Sequence, residues 1–211
     1  MIQHHRVIET GGIEVVCGPM FSGKTEELIR RLRLARIAKQ RVQIFKPVID
    51  NRYDEQHITS HLNQKFICTP IREISEILGK LADNTRVVGI DEAQFFTEEI
   101  VEVCEKLANR RLRVIVAGLD QDYLGNPFGP IPKLLAIADD VLKLKAVCMI
   151  CGGEATKSQR LTRDKEQVVV GAADHYEARC RLCFDPDLSL EMKPKPAVER
   201  DRETAGGTTP Q

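Results

Sequence analysis

Residues Gly18-Pro19-Met20-Phe21-Ser22-Gly23-Lys24-Thr25 form a G-x-x-x-x-G-K-T run set between a short apolar segment and an amphipathic one. Few local patterns constrain a fold so strongly, because this one needs three elements in a fixed order. Ile13-Glu14-Val15-Val16-Cys17 ahead of it predicts a buried strand. From Thr25 onward, Leu28, Leu32 and Ala35 share one face of a helix, and Arg30, Arg31, Arg33 and Arg36 lie largely elsewhere. A strand that turns through a glycine loop into a helix N-terminus aims N–H groups and the positive end of the helix dipole at an anion. The glycines let those N–H groups close around phosphate oxygens. Lys24 then brings a point charge to the β/γ-phosphates, and Thr25 a hydroxyl to Mg²⁺. A nucleoside triphosphate is the expected ligand.

Strand and helix patterns alternate beyond the loop. Residues 41–45, 86–90, 114–117 and 141–146 read as strands, the first closed by Lys46-Pro47. Ile71, Ile74, Leu78 and Leu81 fall at helical spacing. A further helix carries Ile100, Val101, Cys104, Leu107 and Ala108, with Thr97 as N-cap and Glu98 and Glu99 in its first turn. The alternation predicts an α/β fold of the P-loop NTPase type, a mostly parallel sheet flanked by helices. From about Cys148 it gives way to a small cysteine-bounded module. The expected organisation is a disordered N-terminus (1–11), a nucleotide-binding domain (12–147), the cysteine module (148–191) and a disordered tail (192–211).

The acids that follow the third of these strands supply chemistry. Val87-Val88-Gly89-Ile90 runs directly into Asp91-Glu92. In phosphate-loop enzymes an acid at this place reaches the Mg²⁺ between the phosphates, and Asp91 is the candidate. The next side chain must point elsewhere, toward the open end of the sheet, where Glu92 could take a proton from an attacking hydroxyl or water. Gln94, Phe95 and Phe96 then enter a loop at the carboxyl edge of the sheet, where such folds bind ligands. The aromatic pair reads equally as core or as a wall for a base.

The balance of 31 basic and 31 acidic residues gives zero net charge, which argues against a chain that lives on nucleic acid. Arg30, Arg31, Arg33, Arg36, Lys39 and Arg41 are read as a solvated helix face. There is no apolar run long enough to span a bilayer, and the first ten residues lack the apolar core of a signal peptide, so a cytoplasmic, non-membrane protein is expected. Seven cysteines in that compartment are not a disulfide framework. Cys17, Cys68 and Cys104 read as small buried hydrophobes. The other four form two knuckles, Cys148-Met149-Ile150-Cys151 and Cys180-Arg181-Leu182-Cys183. Two such turns supply the four thiolates of a closed tetrahedral Zn²⁺ site, one ion per chain. Between them lies a long loop that includes Gln167-Val168-Val169-Val170-Gly171, and then Asp174-His175-Tyr176. His175 reads as an ordinary surface histidine.

Taken together, Gly-Pro-Met-Phe-Ser-Gly-Lys-Thr, then Asp-Glu-Ala-Gln-Phe-Phe at residues 91–96, then the paired knuckles resemble the type II thymidine kinases, whose zinc site holds a lasso loop. The resemblance implies transfer of the γ-phosphate of ATP, with Mg²⁺, to the 5′-hydroxyl of thymidine. It implies that Gly18, Pro19, Met20, Phe21, Ser22, Gly23, Lys24 and Thr25 hold the triphosphate, with Asp50 and Arg52 as a second nucleotide-contacting element. Glu92 matches the general base, and Asp91, Glu92, Ala93 and Gln94 line the site. Tyr123 sits where the family often has phenylalanine against the thymine ring, with Phe128 in the same aromatic region. Gln167, Val168, Val169, Val170, Gly171 and Tyr176 match lasso positions that enclose the nucleoside. A homotetramer is implied as well.

Two other classes fit parts of the sequence. A nucleoside monophosphate kinase with a zinc-bearing lid would carry its cysteines mid-chain, whereas here they follow the last sheet strand. A zinc-containing DNA-dependent ATPase should show a basic groove and a larger chain.

Overall fold

The structure, a computed structural model, describes residues 11–48, 57–59, 65–161 and 175–188. Asp50, Arg52, Gln167, Val168, Val169, Val170 and Gly171 lie outside the described residues, as do 1–10 and 192–211 of the termini expected to be disordered; Gly11 is described.

Six parallel strands make the central sheet: β1 (Gly12–Cys17), β2 (Val42–Pro47), β5 (Thr69–Ile71), β6 (Val87–Ile90), β7 (Arg113–Gly118) and β8 (Asp140–Lys143), in the order β5-β2-β6-β7-β1-β8. β3 (His57–Thr59) and β4 (Lys65–Ile67) form a separate antiparallel pair. Both faces of the sheet are buried at its centre, so β1, β6 and β7 are apolar almost throughout and successive side chains serve opposite cores, whereas the edge strand β8 is largely exposed. Ile13, Val15 and Cys17 of β1, Val88 and Ile90 of β6 and Val114 and Val116 of β7 belong to one core. That core is covered by α2 (Glu76–Lys80), α3 (Glu99–Asn109) and α4 (Ile131–Ile137) through Ile77, Ile100, Leu107, Ile131 and Leu134. Val16, Ile44, Val87, Ile115 and Ala117 face the other way, onto α1 (Lys24–Ile37).

Leu28, Leu32 and Ala35 lie in the buried stripe of α1, as their spacing predicts, and Ile29 joins them. Each fully buried leucine contributes about 1.5–3 kcal/mol. The helix lies close on β6 at Gly89, where an added Cβ would come within 3.0 Å of a Leu32 methyl.

Departures from the sequence expectations are local. The period at Ile71, Ile74, Leu78 and Leu81 is not one helix: Ile71 ends β5, paired with Pro47, and only five residues of α2 are helical. Ile74 and Ile77 satisfy the core from a turn and a short helix, so the spacing records burial rather than helix length. Thr97 does not cap α3 with its side chain. The N-cap is Glu98, and Thr97 offers its carbonyl to the Ile100 N–H at 3.1 Å. The strand expected over 141–146 splits where the Leu144 N–H turns back to the Cys17 carbonyl. Its remainder, β9 (Ala146–Val147), pairs antiparallel with β10 (Glu154–Ala155). β11 (Lys157–Arg160) and β12 (Tyr176–Arg179) form a second hairpin-like pair beside them. The arginine cluster of α1 is not uniformly solvated either. Arg31 bridges Glu14, Glu27 and Asp140, and Arg36 covers the Phe66 ring at 4.4 Å.

Candidate active site

Adjacent parallel strands β6, β7 and β1 deliver their carboxyl ends to one edge of the sheet. Each end carries part of the site. After β1 the chain turns at Gly18, whose φ of 143° no L-side chain adopts readily. An added Cβ there would meet the Leu144 carbonyl oxygen at 2.5 Å. The loop closes on itself around the Pro19 carbonyl, which accepts from the Ser22 hydroxyl at 2.8 Å and from Lys24 Nζ at 2.7 Å. Phe21 and Gly23 sit at φ 65° and 84°, and α1 starts at once with Lys24. Burial lowers the Lys24 pKa, opposed by the negative charges of Glu92, Asp91 and Asp120.

Asp91 follows β6 and is 6% exposed. Its Oδ2 accepts from the Thr25 hydroxyl at 3.0 Å and its Oδ1 from the Glu92 N–H at 3.0 Å. Burial first, then the neighbouring Glu92 carboxylate, pushes the Asp91 carboxyl up to about 7. A desolvated carboxylate beside a threonine hydroxyl is a fitting donor pair for Mg²⁺.

Glu92 itself is held in the left-handed region at φ 52°, ψ 38°. For a glutamate this costs on the order of 1–3 kcal/mol and marks a position fixed by its surroundings. Gln94 supplies that fixing. It is 3% exposed, donates from Nε2 to Glu92 Oε2 at 2.6 Å and accepts the Leu119 N–H at 2.9 Å on Oε1. The end of β7 thereby orients the carboxylate at the end of β6.

The aromatic residues sort differently from one another. Phe96 is core. Phe95 is half-buried and meets Phe128 edge-on, with centroids 5.7 Å apart and planes at 87°. Tyr123 is half-buried in the turn after β7, and Tyr176 is 8% exposed on β12. Ala93 is packed in the core.

Sequence reasoning missed two residues that tie the cysteine module to this edge, and one ion pair within the edge itself. Ser158 on β11 accepts the Met20 N–H of the phosphate loop at 2.9 Å. Arg160, fully buried, reaches Tyr123 and Tyr176. Lys143 pairs with buried Asp120 at 2.6 Å, just beyond the end of β7. No local pattern could have revealed them, since Ser158 lies 138 residues from its partner.

All four knuckle sulfurs lie within 4.8 Å of one another. Cys151 and Cys180 are 3.7 Å apart, far beyond a disulfide bond of about 2.05 Å. A tetrahedral thiolate site with metal–sulfur bonds of about 2.3 Å needs sulfurs about 3.8 Å apart. N–H groups of Cys180, Cys151 and Ile150 hold the Cys148 thiol down at about 6, while the sulfur of Cys180 pushes Cys183 up to about 12. Bare thiolates this close oppose one another's ionisation, and a dication removes the conflict. The cluster can hold a metal ion. Half-buried His175 lies outside it, and its buried Nδ1 has no hydrogen-bond partner among the described residues. Cys17, Cys68 and Cys104 are buried, as expected of small hydrophobes.

A phosphate loop on β1, an acid pair on β6 and a buried amide linking that pair to β7 define an α/β phosphate-loop nucleotide-binding protein. The sequence profile of the thymidine kinase family matches residues 11–184. A thymidine kinase of Rhodothermus sp. is 57% identical over 196 residues, covering 91% of this chain and 92% of that protein. Thymidine kinases of Bdellovibrio bacteriovorus and Bacteroides thetaiotaomicron are 51% and 52% identical over 192 and 174 residues. They are matched over 90% and 82% of this chain and 94% and 87% of their own lengths. The chain belongs to the thymidine kinase family.

Proposed function

We propose that this chain is an ATP-dependent thymidine kinase, transferring the γ-phosphoryl group of ATP to the 5′-hydroxyl of thymidine to give dTMP and ADP. The observation that carries the reading is the Glu92 carboxylate, locked by Gln94 beside the phosphate loop. Such transfer needs positioning and charge stabilisation more than covalent chemistry. Gly18 to Thr25 cradle the triphosphate, and Lys24 exchanges the Pro19 carbonyl for phosphate oxygens. Thr25 and Asp91 would hold Mg²⁺, which spreads the phosphate charge. Glu92 accepts the proton of the attacking 5′-hydroxyl. Tyr123, Phe128 and Tyr176 wall the base, Gln167 to Gly171 enclose it and keep water out, and Asp50 and Arg52 complete the nucleotide contacts.

The test compares thymidine, a pyrimidine nucleoside monophosphate and single-stranded DNA as partners for ATP. Phosphorylation of the free nucleoside is expected. Turnover only of the monophosphate, or ATP hydrolysis stimulated by DNA, would overturn the reading. Among the described residues no helix is long and apolar enough to cross a membrane. A homotetramer is the proposed assembly, checked by light scattering on the eluting protein.

The metal of the cysteine cluster is proposed to be one structural Zn²⁺ per chain, held by Cys148, Cys151, Cys180 and Cys183. Cys180→Ser should raise the thymidine KM before the sheet melts, because the two large cores contain none of these cysteines. Elemental analysis and thermal unfolding of the variant check this. Full activity in protein lacking the metal would refute it.

A further inference from the structure

β11 places Ser158 and Arg160 two residues apart, so both side chains leave the same side of the strand. Ser158 meets the phosphate loop at Met20. Arg160 meets the aromatic wall. Its guanidinium carbon lies 3.6 Å from the Tyr123 ring centroid, and its Nε and Nη2 donate to the Tyr176 hydroxyl at 2.9 and 2.5 Å. The same group lies 5.2 Å from the Tyr176 ring centre. Arg160 is among the largest side chains with no exposure at all. Burying a guanidinium this completely is costly unless its contacts are well made, and a desolvated cation over a ring is the strong form of that contact.

The two tyrosines come from different parts of the fold. Tyr123 stands in a turn fixed by Asp122, whose Oδ1 accepts the Leu124 and Asn126 N–H groups at 2.9 Å each. Tyr176 begins β12 and is paired with Arg160 across the ladder. One arginine therefore fixes the plane of a ring on the sheet side and the hydroxyl of a ring on the cysteine-module side. One face of Tyr123 is already occupied by the guanidinium, so a base can use only the other face or the edge.

We propose that Arg160 is a positioning residue for the nucleoside: it pre-builds the Tyr123–Tyr176 wall and selects which face of Tyr123 receives the base. This rests on the nucleoside site proposed above. Lysine cannot replace it, since an ammonium neither stacks as a plane nor directs two N–H groups of a rigid fork onto one hydroxyl oxygen.

The chain contains three tyrosines and no tryptophan, so 3-fluorotyrosine labelling gives a ¹⁹F spectrum in which two of the three labelled residues are partners of Arg160. Wild-type protein is first assayed with ATP and thymidine; silence there would sink the functional reading, while the spectra still report on the stack. In Arg160→Lys the thymidine KM is expected to rise about thirtyfold, as the planar stack on Tyr123 and the fork onto Tyr176 are lost together, with the ATP KM changed by less than about twofold. The Tyr123 and Tyr176 resonances should both move. Combined with Tyr123→Leu, the double variant should be no worse in thymidine KM than the poorer single one. An unchanged thymidine KM, parallel rises in both KM values, or additive effects would each overturn the proposal. If Arg160→Lys does not fold, the wild-type protein decides: thymidine should shift the Tyr123 resonance, and an unmoved resonance in an active enzyme refutes the idea.

Discussion

Glu92→Gln is expected to lower kcat by about 10²–10⁴ with ATP affinity nearly intact. The substitution keeps the length of the side chain and one oxygen to accept the 2.6 Å bond from Gln94. What it removes is the basic oxygen proposed to take the proton of the attacking hydroxyl. The left-handed backbone at this residue should survive, because it is set by the strand before it and the short 3-10 turn at residues 93–95 rather than by the carboxylate's charge. Asp91 would lose a neighbouring negative charge, one of the two causes that raise its pKa, so this proposed Mg²⁺ ligand should ionise more readily. Steady-state kinetics with thymidine and calorimetric titration with ATP separate the two effects. A kcat close to that of the wild type would mean that another group is the base or that none is needed.

The sheet was legible because its evidence is local. The glycine run, the apolar segment ahead of it and the stripe Leu28, Leu32, Ala35 are each readable within a few residues, and the structure places them as strand, loop and helix. Apolar spacing proved a poorer guide to where helices begin and end. At Ile71, Ile74 and Leu78 it marks three residues that face a common core, and a strand end, a turn and a short helix satisfy that demand as well as one long helix would.

For the site, type and position were legible, but the forces that orient it were not. Asp91 and Glu92 could be placed at a strand end from sequence. That Gln94 anchors Glu92 to the Leu119 N–H could not, because this depends on β6 and β7 being neighbours. The same holds for Ser158 on Met20 and Arg160 on Tyr123, contacts between segments far apart in the chain. The four cysteines were readable from spacing because a metal site needs ligands in pairs on tight turns, and the folded chain does bring all four sulfurs together.

Lys24→Met separates catalysis from stability most sharply. Losing the one positive group proposed to meet the reacting phosphates should cost about 10²–10³ in kcat/KM for ATP. Stability is expected to respond in the opposite sense. Folding lowers the pKa of Lys24, chiefly by burial, so at neutral pH its charged form is disfavoured in the folded protein relative to the unfolded chain. Methionine fills nearly the same volume without that charge, and the Pro19 carbonyl keeps the Ser22 hydroxyl as its donor. The loss of attraction to Asp91, Glu92 and Asp120 works against this gain, yet burial is the larger cause of the shift. Calorimetric melting without nucleotide should therefore show a Tm no lower than that of the wild type, in a protein that barely turns over. A clear fall in Tm would mean that the lysine holds the empty loop together through its 2.7 Å bond to Pro19, and that the phosphate loop is less pre-built than its geometry implies.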